Sequence, residues 1–171
     1  MPFRARTRRS VCEWKKNFAM KKLIKDRHGR VLEFSQERTD ELVYFKLEFH
    51  EACAAYANCQ IEGDVLVLAD MFVEDNCVVR HPSYLMRLFG RKTLEVNFRN
   101  QGIGGQLLTT MTAYAKSKGL RRVEVRLAEA DLRAHPKLPQ WYQKRGFTVK
   151  ESIVFKDLRP PPVDDSRYMP T

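Results

Sequence analysis

The sequence lacks long apolar runs and paired cysteines, and it has few acidic side chains in its first 30 residues. No stretch approaches the roughly 18 apolar residues that cross a bilayer, and no apolar signal core follows the first charges. We therefore expect a cytoplasmic protein with no membrane partner. The four cysteines form no C-x-x-C pair, and no His stands at zinc-finger spacing, which predicts a reducing compartment and no metal site.

Acidic residues are scarce in one region only. Residues 1–30 carry 11 Lys/Arg against 2 Asp/Glu, whereas residues 31–171 carry 20 against 19. The net charge of +10 therefore belongs to an N-terminal arm, and the body is nearly neutral. Such an arm can contact nucleic acid, anionic lipid or an acidic protein. A solvated extension and a transit peptide are the alternatives, and a solvated extension is the commoner of the two. Met20 is an alternative start of the chain.

A chain of 171 residues favours one domain. We expect a basic extension at 1–19, a single domain at 20–159 with an inserted segment at 75–97, and a disordered tail at 160–171. Ser10 and Glu13, at capping-box spacing, predict a helix that ends near Ala19.

Turn signals and hydrophobic periodicity predict the elements of the domain. The run "VLVLADMFV", Val65–Val73, is apolar on both faces, as in a central strand that is covered by other layers. Within the insertion, "HPSYLMRLFG" has apolar residues at helical spacing and predicts a short amphipathic helix that ends at Gly90. The other predicted elements are a hairpin with its turn at 26–29, strands at 43–49, 55–61 and 123–127, a helix at 139–145 and a final hairpin at 147–158. This order predicts a mixed α+β fold.

The stretch "NFRNQGIGGQLL" places three glycines just before a run of helical spacing, whose predicted buried stripe is Ile103, Leu107, Met111, Tyr114 and Ala115. A glycine turn that enters a helix aims unpaired amides outward at the positive end of the helix dipole, which suits an anion. The stretch has neither the Lys-Ser/Thr pair of a nucleotide P-loop nor the third glycine of a dinucleotide fingerprint, so ATP and NAD are disfavoured. Tight helix packing is the alternative explanation.

The surrounding sequence resembles the GNAT acetyltransferase superfamily over residues 40–158. "FRNQGIGGQLL" fits its R/Q-x-x-G-x-G/A motif with Arg99, Gly102 and Gly104, "WYQKRGF" resembles its closing F-Y-x-x-x-G-F segment, and "LADMFVED" resembles the strand before the motif. The resemblance implies a GNAT-like fold, with a central, mostly antiparallel twisted sheet, a parallel pair at the acyl-CoA cleft and helices on both faces. It also implies acetyl-CoA as co-substrate and an amine as acceptor, joined by direct attack in a ternary complex.

The resemblance also implies roles for individual residues. Tyr142 takes the position of the general acid that protonates the leaving thiolate. The residues implied to bind the cofactor are Met71, Phe72 and Val73 along the pantetheine arm, and Arg99, Gln101, Gly102, Ile103, Gly104, Gly105 and Gln106 around the pyrophosphate. An alkylammonium acceptor must lose a proton before it attacks, so a base is needed. Glu74 is our preferred base, with Asp70 and His81 as alternatives.

Three departures limit what the resemblance carries over. About 23 residues separate the strand from the glycine motif, where relatives have a few, so the insertion could be a lid, a partner-binding surface or a packed decoration. "AEADLRAHPK" replaces the Asn that relatives often carry after the strand ending at Leu127. Ala69 stands where some relatives place a catalytic Glu.

Two further functions remain open: an RNA- or ribosome-associated binding protein with this fold but without catalysis, and a toxin-like acetyltransferase acting on aminoacyl-tRNA. Both would use the basic arm, which has few aromatic residues to stack on bases. The sequence specifies neither the acceptor nor the oligomeric state, for which a homodimer is one alternative.

Overall fold

The structure is a computed structural model that describes residues 22–81, 83–90 and 92–158. The predicted helix at Ser10–Ala19, the nucleic-acid contact of the basic arm and the tail from residue 160 lie outside these residues. The elements are β1 Lys22–Lys25, β2 Val31–Thr39, β3 Leu42–Phe49, β4 Ala52–Glu62, β5 Val65–Val73, β6 Cys77–Arg80, α1 Tyr84–Leu88, β7 Thr93–Val96, α2 Ile103–Ser117, β8 Arg122–Arg126, α3 Glu129–Ala134, α4 Leu138–Gln143, β9 Thr148–Lys150 and β10 Ile153–Asp157.

The chain forms two compact units. Within the described residues, unit 1 comprises 22–58 and 70–107, and unit 2 comprises 59–69 and 108–158. The strand order is β1-β2-β3-β4-β5 in unit 1 and β4-β5-β8-β10-β9 in unit 2, because β4 and β5 contribute residues to both.

In unit 1, β1, β2 and β3 form an antiparallel meander, with tight turns at both ends of β2. The predicted alternation in β3 is confirmed, since Val43, Phe45 and Leu47 are fully buried. Successive side chains of a strand point to opposite faces, so this period places one apolar row in the core. The turn at 26–29 between β1 and β2 is also confirmed.

The insertion at 75–97 is a hairpin of β6 and β7 with α1 at its tip. Cys77 pairs with Val96 and Arg80 with Thr93 in an antiparallel register. The predicted helix is confirmed as α1, but the two strands were not predicted, because four-residue strands give too short a pattern to detect. The apolar face of α1 is not packed against the described chain: Tyr84, Leu85 and Leu88 are each 64–67% exposed.

In unit 2, β5 and β8 form the one parallel pair between described strands, from Val65↔Arg122 to Leu68↔Val125. β10 pairs antiparallel with both β8 and β9. The long connection from β5 to β8 passes through α2, as parallel strands require. These registers confirm the predicted mixed sheet with a parallel pair.

Helix α2 begins in unit 1 and continues into unit 2. Its predicted stripe is confirmed, and the buried residues are Ile103, Leu107, Met111, Tyr114 and Ala115. Gly119, at φ +68°, follows the helix end as predicted. Helix α3, in the stretch "AEADLRAHPK", was not predicted. Among the described residues, no helix combines the length and the hydropathy of a membrane span.

Candidate active site

The end of β5 carries the residues proposed for the acyl group and the pantetheine arm. Leu66, Val67 and Leu68 are buried, whereas Asp70 is exposed and 71–73 are half-buried. The parallel register with β8 stops at Leu68, so 70–73 lie beyond the last pair. Strand β5 therefore changes at this point from a core element to an accessible one.

Tyr56 of β4 fixes one face of this strand end. Its hydroxyl donates to Oδ2 of Asp70 at 3.0 Å, and its ring stacks on Phe72 with centroids 5.8 Å apart. Asp70 and Phe72 thus share a face, as the alternation predicts. Because its carboxylate already accepts the tyrosine hydroxyl, Asp70 is a poorer candidate for a base.

Glu74 is held by its backbone on two sides. Its N–H donates to the carbonyl of Ala54 at 2.9 Å, and its carbonyl accepts from the N–H of Phe98 at 3.0 Å. The half-buried carboxylate accepts one long bond, 3.5 Å, from the amide of Asn76. The bond from the N–H of Phe98 to the carbonyl of Glu74 also joins the two ends of the insertion, so Glu74 lies beside the start of the glycine motif. His81, the other alternative base, accepts from the amide of Ser83 within the hairpin.

The glycine turn lies between two buried anchors, Phe98 and Ile103. Gly102 adopts φ +83°, which favours glycine. Helix α2 starts at the next residue, and its first helical bond runs from the amide of Gln106 to the carbonyl of Gly102 at 3.1 Å. Since the first amides of a helix have no carbonyl one turn back, those of Ile103 and Gly104 remain for an anion, whereas that of Gln106 is used by the helix.

The turn between β1 and β2 packs on this glycine turn. The backbone N–H of Arg27 donates to the carbonyl of Gln101 at 3.3 Å, and its guanidinium donates to the carbonyl of Asn100 at 3.4 Å. From the other side, the Gln106 side chain donates to the carbonyl of Lys25 at 2.7 Å. No local pattern predicts this contact, because it joins segments more than 70 residues apart.

Asp26 holds the β1–β2 turn in shape. Its buried carboxylate accepts from the amides of His28 and Arg30, both at 2.9 Å, and pairs with the Arg30 guanidinium. Burial opposes ionisation of Asp26, but the bonds and the charge of Arg30 outweigh it, so the pKa of the carboxyl lies below its usual value. Arg30 also donates to the carbonyl of Asn97 at 3.2 Å and lies over the ring of Phe98. Asp26 and Arg30 therefore fix where Arg27 meets the motif.

The guanidinium groups at the motif differ in their charge partners. Arg30 pairs with Asp26, and the motif residue Arg99 pairs with Asp75 at 3.4 Å. Among the described residues, Arg27 pairs with no carboxylate. Within the described residues, the positive charge beside Gly102 therefore has no carboxylate partner.

Tyr142 is buried in unit 2. Its ring makes edge contacts with Trp141 and Phe147, at centroid distances of 4.8 and 5.8 Å. Burial, helped by the charge of Asp131 and opposed by Arg145, raises the pKa of the hydroxyl to about 12. Tyr142 therefore stays protonated at neutral pH, as a proton donor must.

The structure places all the other proposed site residues, from Asp70 to Glu74 and from Arg99 to Gln106, in unit 1. Over the described part of the chain, no cluster of His, Cys, Asp and Glu is suited to a metal ion.

The Acetyltransferase (GNAT) family model matches residues 9–147 of the sequence, most of its length. The chain belongs to the GNAT acetyltransferase family. No curated protein matches the sequence significantly. The glycine turn at the start of α2 and the parallel β5–β8 pair are thus parts of a GNAT acetyltransferase domain.

Solved structures resemble this GNAT domain at low identity. The cAMP-binding acyltransferase from Mycobacterium smegmatis aligns with a TM-score of 0.55 and 13% identity, over 89% of this chain and 51% of that chain. The PaiA N-acetyltransferase from Thermoplasma acidophilum, solved in complex with coenzyme A, aligns with a TM-score of 0.47 and 15% identity, over 69% and 62%. The ribosomal-protein-S18-alanine N-acetyltransferase from Escherichia coli gives 0.49 and 15%, over 74% and 76%. This chain spans about half the length of the mycobacterial protein and less than two thirds of PaiA.

Proposed function

We propose that this GNAT protein transfers an acetyl group from acetyl-CoA to an amine by direct attack in a ternary complex. The observation that carries the proposal is the glycine turn at the start of α2, with Gly102 at φ +83° and the guanidinium of Arg27 beside it. A turn of this kind inside a GNAT domain suits the pyrophosphate of CoA, because the helix dipole and the guanidinium both favour negative charge.

The anion contacts can be assigned atom by atom. The amides of Ile103 and Gly104 would donate to the pyrophosphate, and Gly102 and Gly105 would allow close approach of the backbone. Gln101 and Gln106 would shape the turn instead, since the amide of Gln106 serves the helix and its side chain the β1 carbonyl. Arg27 would add a charged donor, a role that sequence reasoning assigned to Arg99 alone.

The strand end would hold the reacting part of the cofactor. Residues 71–73 lie beyond the last β5–β8 pair, so their backbone would bond the pantetheine arm. A backbone N–H of Met71 or Val73 would stabilise the oxyanion that forms when the amine attacks the thioester.

Proton transfer would use two side chains. Glu74 would take the proton of the ammonium group, since its carboxylate accepts one long hydrogen bond and its backbone is fixed. Tyr142 would protonate the CoA thiolate, and its raised pKa keeps the hydroxyl able to donate. Attack forms the C–N bond and moves the carbonyl electron pair onto oxygen. When the carbonyl re-forms, the C–S bond breaks, so the electron pair leaves on sulfur and receives the proton of Tyr142.

Thermal unfolding with added CoA, acetyl-CoA, ATP and NAD tests the cofactor. A ligand at about 100 times its Kd should stabilise the protein by roughly 2.7 kcal/mol. We expect CoA and acetyl-CoA to raise the Tm and ATP and NAD to leave it unchanged; the reverse order would refute the proposal. Release of free CoA with a panel of polyamines, amino acids, aminoglycosides and peptides would then identify the acceptor class.

A further inference from the structure

The tip of the inserted β6–β7 hairpin presents an apolar surface to solvent. Phe89 is 82% exposed, and Tyr84, Leu85 and Leu88 are exposed by about two thirds. Scattered apolar residues are common on surfaces, but contiguous ones usually mark an interaction site.

A groove of about 490 Å³ lies between this helix and the hairpin strands. Val78, Tyr84 and Leu88 supply apolar lining, and Arg80, Arg87 and Lys92 supply three cations. No acidic residue lines the groove, and among the described residues none of the three cations pairs with a carboxylate. The groove is therefore both apolar and positively charged.

The groove contains a buried hydrogen-bond donor, the Nε of Arg87. This Nε has no hydrogen-bond partner within the described residues, while the Arg87 guanidinium lies over the Tyr84 ring at 5.6 Å. A buried charged donor without a partner is costly, so an acceptor that enters the groove would gain more than one that stays at the surface. A carboxylate matches a guanidinium in shape and charge, because its two oxygens can accept two parallel N–H bonds.

We propose that this hairpin tip is a docking site for an acidic protein segment, with a carboxylate at Arg87 and apolar side chains against Leu88 and Phe89. The apolar surface continues beyond the groove to Leu85. A small metabolite in the groove would leave that part of the surface uncovered. The phosphate backbone of a nucleic acid would make no apolar contact with the exposed aliphatic side chains. A flat bilayer surface would not place a negative charge at the buried Nε of Arg87. The proposal concerns binding alone and does not depend on acetyl transfer.

The test starts from a displayed library of short random peptides. Selection on the wild-type protein, with counter-selection on R87Q/K92Q, should enrich peptides that combine Asp or Glu with apolar residues. The proposal would be overturned if no peptides bind the wild-type protein in preference to R87Q/K92Q. It would also be overturned if such peptides are not enriched in Asp and Glu. R133Q/K137Q makes the same change of charge on the surface of unit 2 and should retain the selected peptides.

Affinity measurements on one selected peptide then test the contacts. Fluorescence anisotropy should show binding weakened at least about tenfold by R87Q/K92Q, by L88S/F89S, or by replacing the peptide's acids with amides. Amide exchange should slow in 77–96 when the peptide binds. As an alternative, the protein could co-sediment with phosphatidylserine vesicles, with L88S/F89S abolishing co-sedimentation and no peptide binding. The surface would then be a lipid site, and the proposal would be wrong. Unchanged Tm values for the variants exclude misfolding as the cause of lost binding.

Discussion

The side chain of Arg27 lies against Gly102. Its Nε is 3.4 Å from the position that a Cβ on Gly102 would occupy, and its guanidinium bonds the carbonyl of Asn100. A cation from the first hairpin thus reaches the residue of the motif that must be glycine.

Replacing Arg27 should weaken acetyl-CoA binding specifically through the phosphates. We expect R27Q to raise the Kd for acetyl-CoA about tenfold, since a charged hydrogen bond contributes roughly 1.5–3 kcal/mol, and to reduce its dependence on salt. S-acetylpantetheine, which lacks the pyrophosphate, should bind R27Q and wild type equally in titration calorimetry. K22Q, which removes an exposed cation from the same hairpin, is the matched control. An equal loss for both ligands would show that Arg27 acts on the fold and not on the phosphates.

A side chain at position 102 should disturb the anion site more than the fold. In G102A the new Cβ would meet Arg27 and the backbone would be strained at positive φ, at a cost of about 1–3 kcal/mol. G119A carries the same kind of strain, at φ +68°, with open space around it. Both variants should lose stability in urea unfolding, and G102A alone should lose affinity for CoA. Similar CoA affinities in the two variants would argue against this turn as the pyrophosphate site.

Replacing Tyr142 should affect the chemical step. We expect Y142F to lower kcat about hundredfold and to leave the Kd for acetyl-CoA unchanged, since only the proton donor is lost. Because burial raises its pKa to about 12, Tyr142 should cause no loss of wild-type activity up to about pH 10. Y114F, at the buried tyrosine of α2, is the control. Unchanged turnover in Y142F would remove this residue from the mechanism.

Two carboxylates compete for the role of general base. If Glu74 is the base, E74Q should lower kcat/KM at neutral pH by about 10²-fold or more and abolish the acidic limb of the pH profile, with D70N within a few-fold of wild type. Stopped-flow detection of the released thiol would measure both variants. The opposite result would assign the base to Asp70, and two active variants would leave deprotonation to His81 or to a water chain.

Protonation of Asp26 should destabilise the β1–β2 turn. Its pKa is lower folded than unfolded, so its contribution is present above the unfolded value of about 3.9 and is lost as the pH falls through the folded value. D26N should therefore lower the free energy of unfolding by about 1–3 kcal/mol at pH 7, and the difference from wild type should narrow in acid. D157N, at an exposed ion pair, should change stability by no more than about 0.5 kcal/mol at either pH. A pH-independent difference for D26N would contradict the assignment.

Elements with strong local patterns were predictable. The alternation in β3, the two-faced run of β5 and the stripe of α2 each lie within one short segment, and burial of one face follows from the period alone. The motif residues Arg99, Gly102 and Gly104 were likewise visible, because their spacing is local. Strands β6 and β7 were missed, since four residues between charged neighbours do not establish a period.

The sequence by itself determined that a glycine turn enters a buried helix and that a basic arm precedes a nearly neutral body. Only the tertiary structure decided that Arg27 meets Gly102, that Asp26 and Arg30 hold it there, and that the apolar side chains of α1 face solvent. Periodicity records which face of an element is apolar, but what covers that face depends on segments distant in sequence. For the same reason, the sequence does not show that the side chain of Arg27 lies at the proposed anion site, because the fold brings it there from a distant segment.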